Sequence, residues 1–216
     1  MKFIVFEGLD GSGKSSLIRG LQERMTAEKI SFQSTREPGG TALAEKIRSL
    51  IVDHSEDAPV ARTELLLYEA ARAQHVEKII RPSLNKGQWV LCDRFTASSI
   101  AFQAGGRGIE LQDVKMLNHF ATSGLLPDQI ILLDLSVEES ERRRLRRQAQ
   151  DGSSADRIES EARSFHEKVR QGFLDQVKED PSRWLVLDAE KATQQMLEVV
   201  WTSWKERGWL DCSSNS

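Results

Sequence analysis

Short apolar runs alternate along the chain with longer stretches in which apolar residues recur every three or four positions. The apolar runs predict five strands, at 2–7, 30–35, 88–93, 129–135 and 183–188. The amphipathic stretches predict helices that start near 14 and 137, and others over 42–52, 63–81, 95–103, 111–121, 156–178 and 193–207. This alternation predicts an α/β fold, in which helices cover both faces of a five-stranded parallel sheet.

A few residues set the expected ends of these elements. Pro82 is expected to end the helix over 63–81, because proline lacks the N–H that a helix interior requires. Ser136 is expected to cap the helix that starts near 137. The polar stretch 148–155 predicts a long loop. Residues 211–216 predict a frayed tail after a single domain over 1–210.

Composition argues against several classes of protein. Thirty basic and 33 acidic residues give a net charge of −3, which does not suit a protein that coats nucleic acid. No apolar run approaches the roughly 20 residues that span a bilayer. Glu7 and Asp10 interrupt the first apolar run too early for a secretion signal, and two cysteines make no disulfide framework. We therefore expect a cytoplasmic protein with no membrane or nucleic-acid partner.

The most specific motif lies between the first strand and the first helix. Gly8-Leu9-Asp10-Gly11-Ser12-Gly13-Lys14-Ser15 matches the phosphate-binding pattern G-x-x-x-x-G-K-[ST]. Glycines let the backbone N–H groups turn toward phosphate oxygens, and the following helix adds its positive end. Residues 8–15, together with Ser16, are therefore predicted to bind ATP. Lys14 is predicted to reach the β- and γ-phosphates, and the Ser15 hydroxyl to bind Mg²⁺.

This loop is shared by switch GTPases, motor ATPases and small-molecule kinases. A GTPase should carry an N-K-x-D motif, whereas the nearest segment here, Asn85-Lys86-Gly87-Gln88, lacks the acid. A motor or transporter ATPase would usually need partner-binding regions beyond 216 residues. The sequence therefore favours a compact phosphotransferase.

Candidate acceptor-binding residues follow the second and third strands. Arg36-Glu37-Pro38-Gly39-Gly40 and Asp93-Arg94-Phe95 would meet at the carboxyl edge of the sheet. Tyr68 and Arg72 are one helical turn apart, so an aromatic face and a guanidinium could meet one planar base. A core tyrosine beside a surface arginine is an equally good interpretation of that pair.

With these segments in view, the chain resembles the bacterial thymidylate kinases. The matching segments occur in order over 6–159 and comprise 6–15, Thr35-Arg36-Glu37-Pro38-Gly39-Gly40-Thr41, Ala70-Ala71-Arg72-Ala73-Gln74-His75, 93–103, Gly105-Gly106-Arg107-Gly108 and Asp156-Arg157-Ile158-Glu159. The resemblance implies a three-layer sandwich of the P-loop NTPase type with a short lid at about 143–157. It also implies a homodimer.

The resemblance also implies roles for individual residues. Tyr68 would stack on thymine, Arg72 would bind the base edge, and Arg94 would hold the 5′-phosphate of dTMP. Phe102 would pack against the sugar, Asp10 would approach the acceptor, and Asp93 would lie near Mg²⁺ with Ser15. The implied substrate-binding set is Arg36, Arg48, Tyr68, Arg72, Arg94, Ser98, Ser99, Phe102 and Gln103.

Five arginines in 142–147 precede the polar stretch. They are typical of a solvated helix face, and a nucleic-acid patch is an alternative. In the family a lid occupies this place, and the variable positions of the phosphate loop contain no basic residue. Transfer of the γ-phosphate requires neutralised charge, so a lid arginine is expected to act. Register favours Arg147 and Arg143, with Arg146 and Arg157 as further candidates.

The predicted reaction is transfer of the ATP γ-phosphoryl group to dTMP, which gives dTDP and ADP in dTTP biosynthesis. The predicted catalytic residues are Lys14, Asp10, Arg94, Arg147 and Arg143, with Mg²⁺ as the metal. Two alternatives remain: a kinase for another nucleoside or nucleoside monophosphate, and a nucleotide-dependent switch protein.

Overall fold

The computed structural model describes residues 1–152 and 154–210, so the expected tail at 211–216 lies outside the described residues. Its sheet has five strands: β1 (Phe3–Glu7), β2 (Phe32–Arg36), β3 (Trp89–Asp93), β4 (Gln129–Asp134) and β5 (Trp184–Asp188). Their order is β2-β3-β1-β4-β5, and every pairing is parallel. Val5 in central β1 pairs with Cys92 of β3 and Ile130 of β4. The predicted parallel sheet is confirmed.

Helices surround this sheet. They are α1 (Lys14–Ala27), α2 (Ala42–Val52), α3 (Ala61–His75), α4 (Arg81–Asn85), α5 (Thr96–Ser99), α6 (Leu111–Thr122), α7 (Val137–Asp151), α8 (Arg163–Glu179) and α9 (Thr193–Glu206). Two π-helical segments, Val76–Ile80 and Ile100–Gly106, continue α3 and α5.

Alternation along the strands divides the core into two layers. Phe3 and Val5 of β1 pack on one face of the sheet with residues of the π-helical segments and α8. Ile4 and Phe6 pack on the other face with α1 and α9, where Trp204 is fully buried. Because both faces are covered, the buried strands carry continuous apolar sequence. The three-layer arrangement is therefore that of a P-loop NTPase.

The expected helix end at Pro82 is wrong. The helical path continues through Val76–Ile80 into α4 and ends at Asn85. In the π-helical segment the Arg81 N–H donates to the Val76 carbonyl, five residues back, and Pro82 then lies in the first turn of α4. Pro82 thus occupies one of the first two positions of α4, where proline is tolerated, and does not end the helical path.

The prediction of a loop over 148–155 is also partly wrong. The Ser136 Oγ caps α7 as predicted, but α7 continues through 148–151 to Asp151 and ends at Gly152, where φ is +66°. The helix expected over 156–178 begins only at Arg163. Asp156 accepts the Glu159 N–H at 2.8 Å in a turn, and such local side-chain bonds compete with helix formation.

None of the helices within residues 1–152 and 154–210 combines the length and the apolar character that crossing a membrane requires.

Candidate active site

The loop between β1 and α1 has the backbone geometry that phosphate binding requires. Gly8, Gly11 and Gly13 have φ values of +137°, +78° and +94°. A Cβ at Gly8 would lie 2.5 Å from the Leu133 carbonyl oxygen, so only glycine fits beside β4. The Lys14 Nζ donates to the carbonyls of Gly8 and Leu9, both at 3.1 Å. The loop therefore holds its own ammonium group over the start of α1.

A cleft of about 500 Å³ opens above this loop. Its lining residues come from the loop, the ends of β2 and β3, α2 and α7: Asp10, Gly11, Gly13, Lys14, Ser15, Ser16, Arg36, Glu37, Arg48, Asp93, Arg94, Arg143 and Arg147. We call it the phosphate cleft. Five arginines and one lysine converge there, and this charge suits a polyphosphate.

Three residues of the predicted ATP-binding set do not line the phosphate cleft. Leu9 is buried in the core, and its side chain packs with apolar residues of the sheet. Gly8 lies against β4, and Ser12 is fully buried with no hydrogen-bond partner for its Oγ among the described residues. In the loop these positions shape the backbone, whereas Gly11, Gly13 and Lys14 face the cleft.

A cation would need ligands from a bound nucleotide here. Within residues 1–152 and 154–210, no group of three or more His, Cys, Asp or Glu residues could hold a metal. Ser15 and Asp93 line the same cleft, and the buried Asp93 Oδ1 has no hydrogen-bond partner in the described chain. Mg²⁺ usually keeps several waters and is bound by one or two carboxylates and substrate phosphates, to which a phosphate loop adds a serine or threonine hydroxyl. The residues present fit the predicted Mg²⁺ site.

A second cleft adjoins the first at the carboxyl edge of the sheet, and we call it the acceptor cleft. It is lined by Asp10, Glu37, Pro38, Arg48, Val52, Tyr68, Arg72, Arg94, Phe95, Ser98, Ser99, Phe102, Gln103, Asp156 and Ile158. Eight of the nine predicted substrate-binding residues belong to it, and the ninth, Arg36, lines the phosphate cleft. Asp10, Glu37, Arg48 and Arg94 line both clefts.

Arg94 stands where the two clefts meet. It has a left-handed backbone, with φ of +70°, in the turn between β3 and α5. Its Nη2 donates to the Asp10 Oδ1 at 2.8 Å, its Nη1 donates to the Ser98 Oγ at 3.3 Å, and its guanidinium lies over the Phe102 ring at 5.1 Å. Burial tends to raise the pKa of Asp10, but the charges of Arg94 and Lys14 outweigh it and hold that pKa well below its usual range. Asp10 is therefore ionised and fixes the guanidinium.

Arg72 is a buried residue, so the surface-arginine interpretation is wrong. Its side chain is 2% exposed. Its Nε donates to Glu37 at 2.8 Å. Its Nη1 lies within 2.9 Å of oxygens of Glu69, Ser99 and Asn118, and its Nη2 donates to the Phe95 carbonyl at 3.1 Å. These acceptors engage the Nε and Nη1 protons, which leaves one N–H on Nη2 for a ligand in the acceptor cleft.

The remaining acceptor-cleft residues are held by other protein groups. Ser98 donates its hydroxyl to Glu7 at 2.6 Å, and Gln103 donates to Glu64 at 3.0 Å. Phe102 packs against Phe165 and Phe173 of α8. These contacts fix the side chains before any ligand arrives. Their predicted roles toward the base and sugar stay predictions.

The arginine-rich helix α7 presents two of its residues to the phosphate cleft, Arg143 and Arg147. Arg143 donates to the Ala189 carbonyl at 3.0 Å, and Arg147 donates to Glu159 at 2.6 Å. Arg146 is exposed and does not line the cleft. Arg157 points elsewhere, toward Glu64 and the end of α2. The geometry thus favours the same two arginines that register favours.

Two buried acids, Glu37 beside Arg72 and Glu7 beside Arg94, were not identified from the sequence. Glu37 accepts from Arg72 at 2.8 Å, and its other oxygen lies 2.9 Å from the His75 Nδ1. Glu7 ends β1 and accepts from the Phe95 N–H at 2.9 Å, the Ser98 N–H at 3.1 Å and the Ser98 hydroxyl. For Glu7 the sequence did contain a signal, because it ends the otherwise apolar strand β1. A charged residue in such a position is rarely buried without a partner.

Glu7 is expected to make stability depend on pH. Burial raises its pKa from the usual 4.5 to about 7, although Arg94 and Ser98 oppose the shift. The unfolded carboxyl loses its proton above pH 4.5, while the folded one keeps it up to about pH 7. The stability that Glu7 contributes is therefore fully present below pH 4.5 and is lost by about pH 7, a change of roughly 3 kcal/mol.

The substitution Glu7→Gln should remove this contribution, because glutamine keeps an acceptor oxygen and does not titrate. Urea unfolding at a series of pH values should show a shallower fall in the free energy of unfolding between pH 4.5 and 7 than in the unmodified protein. Exposed Glu23 on α1 provides the control, since Glu23→Gln should leave the curve parallel to the original. Parallel curves for Glu7→Gln as well would contradict the expectation.

Comparisons with known proteins find matches over most of the chain. A family model described as "Thymidylate kinase" matches residues 6–200. A thymidylate kinase from Bdellovibrio bacteriovorus is 58% identical over 207 residues, which cover 96% of this chain and 97% of the relative. Thymidylate kinases from Pelotomaculum thermopropionicum and Nostoc punctiforme are 44% and 42% identical, and they match 88% and 92% of this chain and 87% and 94% of their own lengths.

Proposed function

The chain belongs to the thymidylate kinase family, and from this premise we propose how its two clefts divide the reaction. The protein is an enzyme that phosphorylates dTMP in dTTP biosynthesis, with ATP as the donor that the family implies. In our proposal the phosphate cleft binds the ATP phosphates and the acceptor cleft binds dTMP.

One observation carries this assignment. Asp10, Glu37, Arg48 and Arg94 line both clefts, so a nucleotide in each cleft would bring its phosphate to the same place. Transfer between two bound nucleotides requires the donor phosphorus and the acceptor oxygen to lie in line and close together. Arg94 is then the group that holds the acceptor phosphate, because a fixed guanidinium suits a dianion.

The remaining charges have separate tasks in this proposal. Lys14 neutralises the β- and γ-phosphates from within the loop, and Arg143 and Arg147 of α7 do so from above. Residues 143–157 act as the lid that excludes water, which would otherwise accept the phosphoryl group. Ser15 and Asp93 would hold Mg²⁺, which supplies further charge neutralisation when it is bound with the nucleotide.

The acceptor cleft can be tested at Tyr68. The substitution Tyr68→Leu should raise the KM for dTMP roughly tenfold, because stacking of a base on an aromatic ring is worth on the order of 1–3 kcal/mol. The KM for ATP should stay within about twofold. The control is Tyr68→Phe, which keeps the ring and should leave both constants unchanged. Equal changes in both KM values after Tyr68→Leu would argue against the assignment of the clefts.

We also propose that two copies of the chain associate. α3 packs against both α2 and α6, and these three helices carry exposed apolar side chains. The exposed residues are Leu43 and Leu50 on α2, Leu66 on α3, and Met116 and Phe120 on α6, with Phe120 82% exposed. A second copy would cover them in an isologous interface. Sedimentation equilibrium should then give twice the 24.4 kDa mass of one chain.

The proposed place of action is the cytoplasm, where its nucleotide substrates are made.

A further inference from the structure

Glu64 on α3 lies one helical turn before Tyr68 and outside the roles assigned so far. Its side chain is 1% exposed. Its Oε1 accepts from Gln103 at 3.0 Å and from the Arg107 Nε at 3.1 Å. Its Oε2 accepts from the Arg107 Nη2 at 3.0 Å and from the Arg157 Nη2 at 2.5 Å. A single buried carboxylate therefore joins α3, the end of the second π-helical segment and the C-terminal end of the expected lid.

The charges of this cluster balance. Arg107 also donates to Glu161 at 2.5 Å, so two arginines face two carboxylates. Burial tends to raise the pKa of Glu64, but hydrogen bonds from Arg107, Gln103 and Arg157 outweigh it and lower that pKa. An ionised carboxylate in this position is held because both of its oxygens are fully engaged.

Arg157 connects Glu64 to the wall of the acceptor cleft. Its Nε donates to the Ile51 carbonyl at 2.8 Å, and its backbone N–H donates to the Val52 carbonyl at 3.0 Å, so it is tied to the end of α2 as well as to Glu64. The residues on either side of it, Asp156 and Ile158, both line the acceptor cleft. The bonds of Arg157 therefore help to place these two side chains, together with the apolar core contacts of Ile158 and the bond from the Glu159 N–H to Asp156.

We propose that Glu64 is a positioning residue for the acceptor site, because its ion pair with Arg157 holds residues 156–158 in place as part of the wall of the acceptor cleft. The proposal rests on the assignment of that cleft to dTMP. Glu64 touches no reacting atom in this proposal, and it acts through Arg157. Loss of the ion pair would free the wall and weaken dTMP binding, while the phosphate cleft would keep its geometry.

The test compares Glu64→Gln, Arg157→Gln and the double variant in the full-length protein. Each single substitution is expected to raise the KM for dTMP roughly tenfold, with the KM for ATP changed by less than about twofold. The double variant should be no worse than either single variant, because both remove the same interaction. Glu161→Gln is the matched control, since it removes the other carboxylate of Arg107 and should leave the KM for dTMP unchanged.

If the ion pair between Glu64 and Arg157 only stabilised the fold, the expected result would be different. Its loss would lower the thermal midpoint and reduce activity toward both substrates in parallel, with no split between the two KM values, and that result would overturn the proposal. If Glu64→Gln does not fold, Arg157→Gln carries the test alone. A raised KM for dTMP in Tyr68→Leu but not in the Glu64 and Arg157 variants would refute the positioning role while the cleft assignment stands. If the KM for dTMP stayed unchanged in all of these variants, Tyr68→Leu included, the assignment of the acceptor cleft to dTMP would itself be wrong.

Discussion

Replacing Arg94 with alanine is expected to lower kcat/KM for dTMP roughly a thousandfold. Its guanidinium is the one held between Asp10, at 2.8 Å, and Glu7, at 3.9 Å, at the junction of the two clefts. Alanine would leave these two acidic side chains, of which Asp10 is ionised, facing the incoming dianion without a compensating charge. The loss should appear mainly in steady-state kinetics with dTMP varied at saturating ATP.

Two further measurements make the result specific. The affinity for a non-hydrolysable ATP analogue, measured by titration calorimetry, should change far less than the kinetics with dTMP. The Arg94→Lys variant keeps a charge but loses the planar fork that holds Asp10 and Ser98 together, so its activity should lie between that of the alanine variant and that of the unmodified protein. If the ATP analogue and dTMP were affected equally, the role assigned to Arg94 would be wrong.

The second large effect is expected at Lys14. The substitution Lys14→Met keeps an unbranched side chain of similar length and removes the ammonium that the Gly8 and Leu9 carbonyls hold over the loop. The γ-phosphate would lose its neutralising charge from within the loop, and kcat should fall by roughly 10²- to 10³-fold. Single-turnover transfer from labelled ATP to dTMP measures this step directly.

Arg19 offers a control on the same helix. It is exposed on α1 and does not line the phosphate cleft, so Arg19→Met removes one positive charge without touching the loop. Its turnover should stay within about twofold of the original. A Lys14→Met enzyme that keeps a tenth or more of the original single-turnover rate would show that the arginines of the cleft suffice without the lysine.

Local chemistry explains what the sequence predicted well. The strands, the phosphate loop and the cap at Ser136 depend on patterns of a few adjacent residues, and each is confirmed in place. Arg143 and Arg147, which register favours, both line the phosphate cleft, while their action on the transferred phosphate stays a prediction. Such features need no knowledge of what packs against them.

The features that failed depend on distant partners. The segment after α5 becomes π-helical where it meets α8, and there a Cβ at Gly106 would lie 2.5 Å from the Phe165 ring. The burial of Arg72 requires Glu37 and Asn118, which lie 35 and 46 residues away along the chain. The helix expected from 156 begins late, and Arg157 there donates instead to the Ile51 carbonyl, 106 residues away along the chain. Long-range polar bonds of this kind leave little trace in a local pattern.

The fixed state of Arg72 also affects the thermodynamics of binding. A free arginine side chain loses roughly 2 kcal/mol of rotamer entropy when it is immobilised, and a ligand that orders it must offset that loss. Here five neighbouring residues order Arg72 during folding, so in the proposed complex a base in the acceptor cleft would meet a side chain that is already oriented. The loss of Arg72 rotamer entropy therefore lowers the free energy of unfolding of the protein. It does not weaken the binding of the nucleotide.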